Sequence, residues 1–342
     1  MMPVLQVIAG GFMTTVQDLG RFGAQALGMP VAGALDPISL RLANTLVGND
    51  ERAAGLEIRL QGPTMRTAQA PVRLALVGTS AVIDVLSPDP KTLPAGRSAV
   101  LQPGSVFKIG STTDTGVCYL AVAGSFALDP AFGSLSTYMP AAIGGLQGRP
   151  LKEDDRLEIG SAIDPNRGEK QLSRNTQIEK PSSVRVVLGP QDDRFTAQAI
   201  ETFLGTHYRV SATSNRMGLR LDGEKLNHRA GHDLPSDGIV TGSIQVPGTG
   251  LPIILLADRQ TTGGYPKIAT VISSDLPGLG RLLPGENIRF AAVSVDEAEA
   301  IRRRQEATIR QWISDIAAVE LDPAALNKLL LSENLISGVV RA

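Results

Sequence analysis

The sequence predicts a mainly β protein built as two related halves. Short apolar runs bounded by Gly, Pro, Asp or Ser recur along the chain, as a sandwich or barrel with tight turns requires. The 342 residues include 36 glycines and 22 prolines with no collagen period, which suits many strands joined by turns. A polar stretch, "SAIDPNRGEKQLSRNTQIEKPS" (161–182), divides the chain. The halves on either side of it close alike, in "GRPLKEDDRLEIG" and "GRLLPGENIRFAAV". Each closing has Gly-Arg, a leucine, an acidic turn and an alternating strand, which reads as an internal duplication of one β-barrel.

The expected strands of the first half are "VLQVIA" (4–9), "LEIRLQG" (56–62), "VRLALVG" (72–78), "SAVLQPG" (98–104), "VCYLAVAG" (117–124) and "DRLEIG" (155–160). Those of the second are "SVRVVLG" (183–189), "SIQVPG" (243–248), "PIILLAD" (252–258), "KIATVIS" (267–273) and "NIRFAAV" (287–293). Helices are few and marked by their caps. Asp36-Pro37 reads as an N-cap with proline at the first helical position. Ile38, Leu42 and Leu46 follow at helical spacing, and Gly48 stops the run. Asp192 or Asp193 is expected to cap a second helix through about Phe203, ahead of Gly205. Ser294 and Glu297 form a capping box for a third, whose Ile301, Ile309, Trp312 and Ile316 make an apolar stripe. A fourth is expected from Asp322-Pro323, with Leu326, Leu329 and Leu330. The resulting division is a first barrel over 1–165, a linker over 166–182, a second barrel over 183–295 and a helical segment over 296–342.

Composition bounds the function. With 42% hydrophobic and 20% charged residues, the chain has material for a packed core. A net charge of −1 argues against a general binder of nucleic acid or anionic membrane. No apolar run approaches the ~18 residues of a membrane span, and the start lacks a signal-peptide pattern, so the expected location is the cytoplasm. The single cysteine, Cys118, lies in a strand-like run and reads as an inert core residue.

Four polar clusters interrupt the strands. The first holds Gln17, Asp18 and Arg21 within "TTVQDLGRFGAQALGMPVAGALD". A carboxylate beside a guanidinium suits a planar amide or carboxylate ligand, and equally a local surface ion pair. The second, "LRLANTLVGND", places Asn44 on the polar side of the first helix and Asn49 past its end, where asparagine is commonly structural. The third, "SNRMGLRLDG", offers Arg216 at a loop end as an anion site, with Arg220 on a solvated strand face. The fourth runs from Ser236 to Val271 and contains "DRQTTGGYP". There Gln245, Asp258, Gln260, Thr261, Thr262 and Tyr265 sit among glycines that permit close backbone turns, Gly263 and Gly264 included. Gln and Thr read amides well because each donates and accepts, although a plain hairpin loop fits the same stretch. No GxxxxGK[ST], dinucleotide fingerprint or GxSxG is present. His228 and His232 have the spacing of two zinc ligands, but Gly231 and the missing third ligand favour a loop, so no metal site is expected.

Taken in order, "TTVQDLGRFGAQALGMPVAGALD", "LANTLVGN", "SNRMGLRLDG", "SDGIVTGSIQVPGTGLPIILLADRQTTGGYP" and "LPGENIRF" resemble the KipA / allophanate-hydrolase-subunit-2 family over roughly residues 4–295. That family includes the C component of ATP-dependent 5-oxoprolinase and the carboxyltransferase part of urea carboxylase. The resemblance implies two tandem cyclophilin-like β-barrels. It also implies partners: the KipI-like B component of 5-oxoprolinase and its lactam-utilisation-type A component. The implied activity is opening of the cyclic amide of 5-oxoproline to glutamate, with ATP used by the complex and the lone chain inactive. Two alternatives come with the family. One is carboxyl transfer to urea or a similar amide, with biotin delivered by another chain. The other is a regulator that sequesters a KipI-like kinase inhibitor. On the first reading Arg216 holds a carboxylate or phosphoryl oxygen, and Gln245, Gln260 and Thr262 hold the lactam amide. Asp258 or Asp18 moves a proton and Tyr265 lines the wall. Gln17, Arg21, Asn44, Thr261, Gly263 and Gly264 complete the expected binding set. The chain departs from the family pattern at Gly124-Ser125 and Glu153-Asp154, both in first-half loops.

Overall fold

The structure is a computed structural model that describes residues 2–164, 167–229 and 231–319. The expected helix from Asp322-Pro323 lies outside the described residues. The fold is mainly β, with four α-helices among the described residues: α1 (Pro37–Val47), α2 (Ala197–Gly205), α3 (Leu276–Gly280) and α4 (Val295–Ser314).

The second half closes into a barrel. Its seven strands pair in the order Ser183–Leu188, Lys267–Val271, Ser243–Gln245, Ile253–Leu255, Gly218–Asp222, His207–Val210 and Asn287–Ala292. The ring closes where Ser183–Leu188 runs parallel to Asn287–Ala292, Val184 facing Phe290; the other pairings are antiparallel. Alternate residues such as Val184, Val186, Ile244, Ile254, Ile268 and Ile288 point inward and are buried. Phe203 of α2 joins them, its ring stacked on Phe290 at 4.3 Å between centroids.

The first half wraps its core with two antiparallel sheets. One has six strands, in the order Arg156–Glu158, Val4–Ala9, Thr64–Ala68, Val106–Ile109, Ile83–Ser87 and Lys91–Leu93. The other has five: Thr15–Gln17, Gly55–Ile58, Cys118–Val122, Val72–Val77 and Ser98–Leu101. Leu5, Met65, Phe107 and Ile109 of the first sheet share one core with Leu56, Leu74, Leu76, Cys118 and Leu120 of the second. Alternation along Cys118–Val122 sends Tyr119 and Ala121 to the opposite face. That face packs on Leu42, Ala43 and Leu46 of α1, within a larger core that includes the barrel interior. So α1 and the five-stranded sheet are the surface on which the halves meet. Cys118 is fully buried, and burial pushes its thiol pKa up, away from reactivity.

The helix ends follow local rules, with one correction. Asp36 caps α1, accepting from the backbone N–H of Ile38 and Ser39 at 3.1 Å each, and Gly48 ends it at φ 90°. Ser294 and Glu297 form the full capping box of α4. Asp192 and Asp193 do not cap α2: they form a separate 3₁₀ turn, and Thr196 is the N-cap. Phe195 is extended between the two, so the helix starts later than the acidic pair suggests. The stretch 161–182 is not a free tether. Lys170–Gln171 pairs with Ala317–Ala318, and Glu169 accepts hydrogen bonds from buried Arg73 and from Ser98.

Candidate functional site at the seam between the halves

The polar clusters separate into a buried seam and an exposed rim. Arg216 leads into the strand Gly218–Asp222 and points to the first half. Its Nε and Nη2 donate to the two oxygens of Asp258 at 2.8 and 2.9 Å, a bidentate pair. Its Nη1 donates to Glu57 of the first half, and Nη2 also donates to the Gly33 carbonyl at 2.6 Å. All three side chains are at most 3% exposed. Burial acts to lower the Arg216 pKa, but Asp258 and Glu57 outweigh it and raise the value, so the guanidinium stays charged. Arg216, expected to meet a ligand's carboxylate, is thus occupied by two carboxylates of its own chain.

The chain of contacts continues through the first half. Glu57 accepts from the Tyr119 hydroxyl at 2.6 Å and from the Leu35 N–H at 3.0 Å. The Tyr119 oxygen accepts the Asp36 N–H at 2.9 Å. Asp36, beyond capping α1, accepts from Arg281 of the second half at 3.1 Å. One buried network, Asp258–Arg216–Glu57–Tyr119–Asp36–Arg281, therefore crosses the seam twice. Glu57 and Tyr119 escape sequence reasoning because each reads as one residue of an alternating strand.

Arg21 lies beside this network and is 1% exposed. Its Nη2 donates to the Ser136 carbonyl, while Nη1 is buried without a partner. Burial lowers its pKa, opposed by Asp18 and Asp258, with Arg216 lowering it further. Arg59, just past the strand Gly55–Ile58, behaves likewise. Burial lowers its pKa, Glu57 raises it, Arg216 lowers it, Tyr119 and Asp258 raise it, and its Nε is buried without a partner. Two guanidinium donors without acceptors thus sit within the electrostatic reach of Asp258. Tyr138 joins them: its phenol pKa is raised by burial and by Asp258.

The other first-half residues are engaged in structure. Asp18 accepts from the Gly20 N–H, Ser134 Oγ and Leu135 N–H at 2.7 Å each, and from Ser136 Oγ at 2.5 Å. Its lone pairs are spent holding the 134–136 loop, which leaves it poorly placed to accept a proton from a ligand. Gln17 donates to Thr15 and Thr137 at 3.1 Å, with its Oε1 buried and unpaired. Asn44 is fully buried and donates to the Ala53 carbonyl at 2.6 Å, and Asn49 ties that corner to Val122 and Gly124. The asparagines are structural.

"DRQTTGGYP" divides after its second residue. Asp258 and Arg259 are buried, while Gln260 to Tyr265 leave the barrel as a ribbon. Thr262–Gly263 pairs with Asp237–Gly238, Ile239 donates its N–H to the Thr261 carbonyl, and Leu234 donates to the Gly264 carbonyl. Tyr265 is 41% exposed, so it lines a surface rather than a closed wall. Gln245 is buried, and its Nε2 has no partner. Gly263 passes so close that a Cβ there would lie 2.7 Å from Gln245 Nε2 and 3.6 Å from Gln260 Nε2. The two glutamines and Gly263 are therefore brought together, as are Arg21, Arg216 and Asp258. Gln17, Asp18 and Asn44 face inward to their own loops. Among the described residues no group of three His, Cys, Asp or Glu side chains could hold a metal. His228 bonds the Val246 carbonyl at 3.0 Å and packs on Phe195.

Residues 27–292 match the family model described as "Carboxyltransferase domain, subdomain A and B". The C component of 5-oxoprolinase from Escherichia coli K12 is 36% identical over 308 residues, spanning 90% of this chain and 97% of that one. Its Haemophilus influenzae counterpart is 34% identical, spanning 87% and 94%. Urea amidolyase of Saccharomyces cerevisiae is 30% identical over 90% of this chain but only 17% of its own length. The crystal structure of the K. lactis urea amidolyase superposes with a TM-score of 0.83 at 26% identity, covering 95% of this chain and 21% of that one. On the family match over most of its length and on these identities, the chain belongs to the carboxyltransferase-domain family, subdomains A and B.

Proposed function

We propose that this chain is the C component of an ATP-dependent 5-oxoprolinase, opening the cyclic amide of 5-oxoproline to L-glutamate together with partner proteins. The observation that carries this reading is reciprocal length: both bacterial C components match almost end to end, at 97% and 94% of their own lengths. Urea amidolyase, by contrast, is matched over 17% of its chain. The donor set at the seam supports the chemistry. Attack on a lactam carbonyl builds negative charge on its oxygen, and preorganised cationic N–H donors stabilise such charge. Arg21 Nη1 and Arg59 Nε are buried donors without an acceptor near Asp258. With Asp258 held by Arg216, its role is to favour the charged form of these guanidinium groups electrostatically rather than to carry a proton itself.

The sequence has no phosphate-binding GxxxxGK[ST] loop, so we assign ATP binding to a partner, the KipI-like B component or the lactam-utilisation-type A component. A second reading, carboxyl transfer to a small amide with biotin on another chain, has the family model's own description and the urea amidolyase superposition in its favour. The same N–H donors fit the carbonyl of biotin's ureido group.

Reconstitution separates these. The chain, mixed with its presumed B and A partners, 5-oxoproline and ATP, is expected to yield glutamate and ADP in equal amounts, and to yield neither when it is omitted. Turnover that instead needs a biotinylated carrier and bicarbonate establishes the second reading. Absence of both, with tight capture of a KipI-like partner, makes the chain a regulator.

A further inference from the structure

Six arginine or lysine side chains are buried among the described residues: Arg21, Arg73, Arg216, Arg259, Lys267 and Arg281. A buried cation is costly unless an anion or a set of acceptors offsets its lost hydration. Arg73 pairs with Glu169, Arg216 with Glu57 and Asp258, Lys267 with Asp237, and Arg281 with Asp36. Arg21 has Asp18 and Asp258 acting on it. Arg259 differs. It is 2% exposed, burial alone acts to lower its pKa, and among the described residues no charged neighbour opposes that. Among the described residues its one side-chain hydrogen bond is from Nη2 to the Ile239 carbonyl at 3.2 Å, and Nε and Nη1 are both buried without a partner.

A second buried donor meets Ile239 at Gly263. A Cβ on Gly263 would sit 2.5 Å from Ile239 Cδ1 and 2.7 Å from Gln245 Nε2, so Ile239 is the common neighbour of Arg259 and Gln245. Gln245 is 2% exposed and its Nε2 is unpaired. Nη2 shares one edge of the guanidinium with Nε and the other with Nη1, so whichever of its two N–H groups meets Ile239, one edge keeps two open N–H groups that match the two oxygens of a carboxylate. We propose that Arg259, helped by Gln245, is the binding site for the carboxylate of the substrate, beside the ribbon formed by 237–239 and 261–263.

This inference rests on the 5-oxoprolinase reading and deepens it. 5-Oxoproline carries a carboxylate next to its lactam, whereas urea carries none. Arg259, rather than Arg216, is then the residue that recognises the anionic end.

Two measurements test it. In the first, thermal unfolding of the full chain is followed with 5-oxoproline, with the uncharged lactam 2-pyrrolidinone, and with bicarbonate. The wild type is expected to be stabilised by 5-oxoproline and not by 2-pyrrolidinone, and Arg259→Met is expected to lose that stabilisation. Without ligand, Arg259→Met should unfold no earlier than wild type, because it removes an uncompensated buried charge. A purely structural arginine predicts the reverse on both counts. In the second, KM for 5-oxoproline in the reconstituted complex is expected to rise about 10- to 100-fold in Arg259→Met, with Arg259→Lys in between. Equal protection by 2-pyrrolidinone, protection by bicarbonate alone, no protection of the wild type, or an unchanged KM in Arg259→Met each overturns the proposal. A wild-type complex that makes no glutamate is a failure of the 5-oxoprolinase reading. A complex that makes glutamate with unchanged KM in the variant is a failure of this site alone.

Discussion

Single residues decide whether the seam is a site or a clamp. In the sequence, Arg216 and Asp258 are natural choices for a site: an arginine at a loop end to bind an anion, and an acid before a glycine pair to move a proton. In the fold they pair, with Glu57 as a second carboxylate on the same guanidinium, so removing one carboxylate loses its charged hydrogen bonds while the other still offsets the buried charge. Asp258→Asn is therefore expected to lower unfolding stability by about 2 kcal/mol in urea titration. Glu57→Gln, at the other end of the same guanidinium, should follow it in direction, and the double variant should lose more than the sum, because only then is Arg216 left without a carboxylate. A midpoint shift within about 0.5 kcal/mol of wild type for Asp258→Asn would sink the clamp account.

At the scale of elements, local signals are legible and distant ones are not. α1 and α4 are set by short caps, so Asp36, Gly48, Ser294 and Glu297 mark them in the sequence. Most of the expected strands also occur, trimmed at their ends. Five first-half strands lack a readable pattern: Thr15–Gln17, Thr64–Ala68, Ile83–Ser87, Lys91–Leu93 and Val106–Ile109. They are short, and residues such as Arg66 and Lys108 face solvent within them, so their apolar signal is diluted. α3 is hidden by its composition, "LPGLG", which has weak helix propensity and is held by packing. Pairings across the seam are beyond reach of local patterns, since Arg216 meets Glu57 from 159 positions away. α4 docks on α1 through such a contact: Arg41 donates to both oxygens of Glu306 at 2.9 and 2.8 Å. Hydrogen bonding from Arg41 holds the Glu306 carboxyl below its ordinary 4.5. Its stabilisation is thus complete above about pH 4.5 and fades as acid brings the pH down through the lowered native value. Glu306→Gln is expected to cost about 1 kcal/mol at neutral pH and to flatten that acid dependence, with faster hydrogen exchange in α4 as the local readout.

For the whole molecule, the cores matter more than the division of the sequence at its polar stretch. One continuous core takes in α1, the outer face of the five-stranded sheet, the barrel interior and Ile309 of α4. Neither half can keep that surface dry alone, so the two are expected to melt together, as one transition with matching midpoints by circular dichroism and calorimetry. Two transitions would show that the halves are thermodynamically separate.

The only tryptophan, Trp312, makes this easy to watch. It stands on α4 at a cavity of about 400 Å³ whose walls are the 177–183 segment, Ile38 of α1 and Pro277 of α3. Both halves contribute to that one environment. The indole is thus a built-in optical gauge of assembly: its emission should shift to the red when the halves part, without any dye or label. It also offers a direct signal for titrating in a partner protein that grips this face, long before any assay of turnover is working.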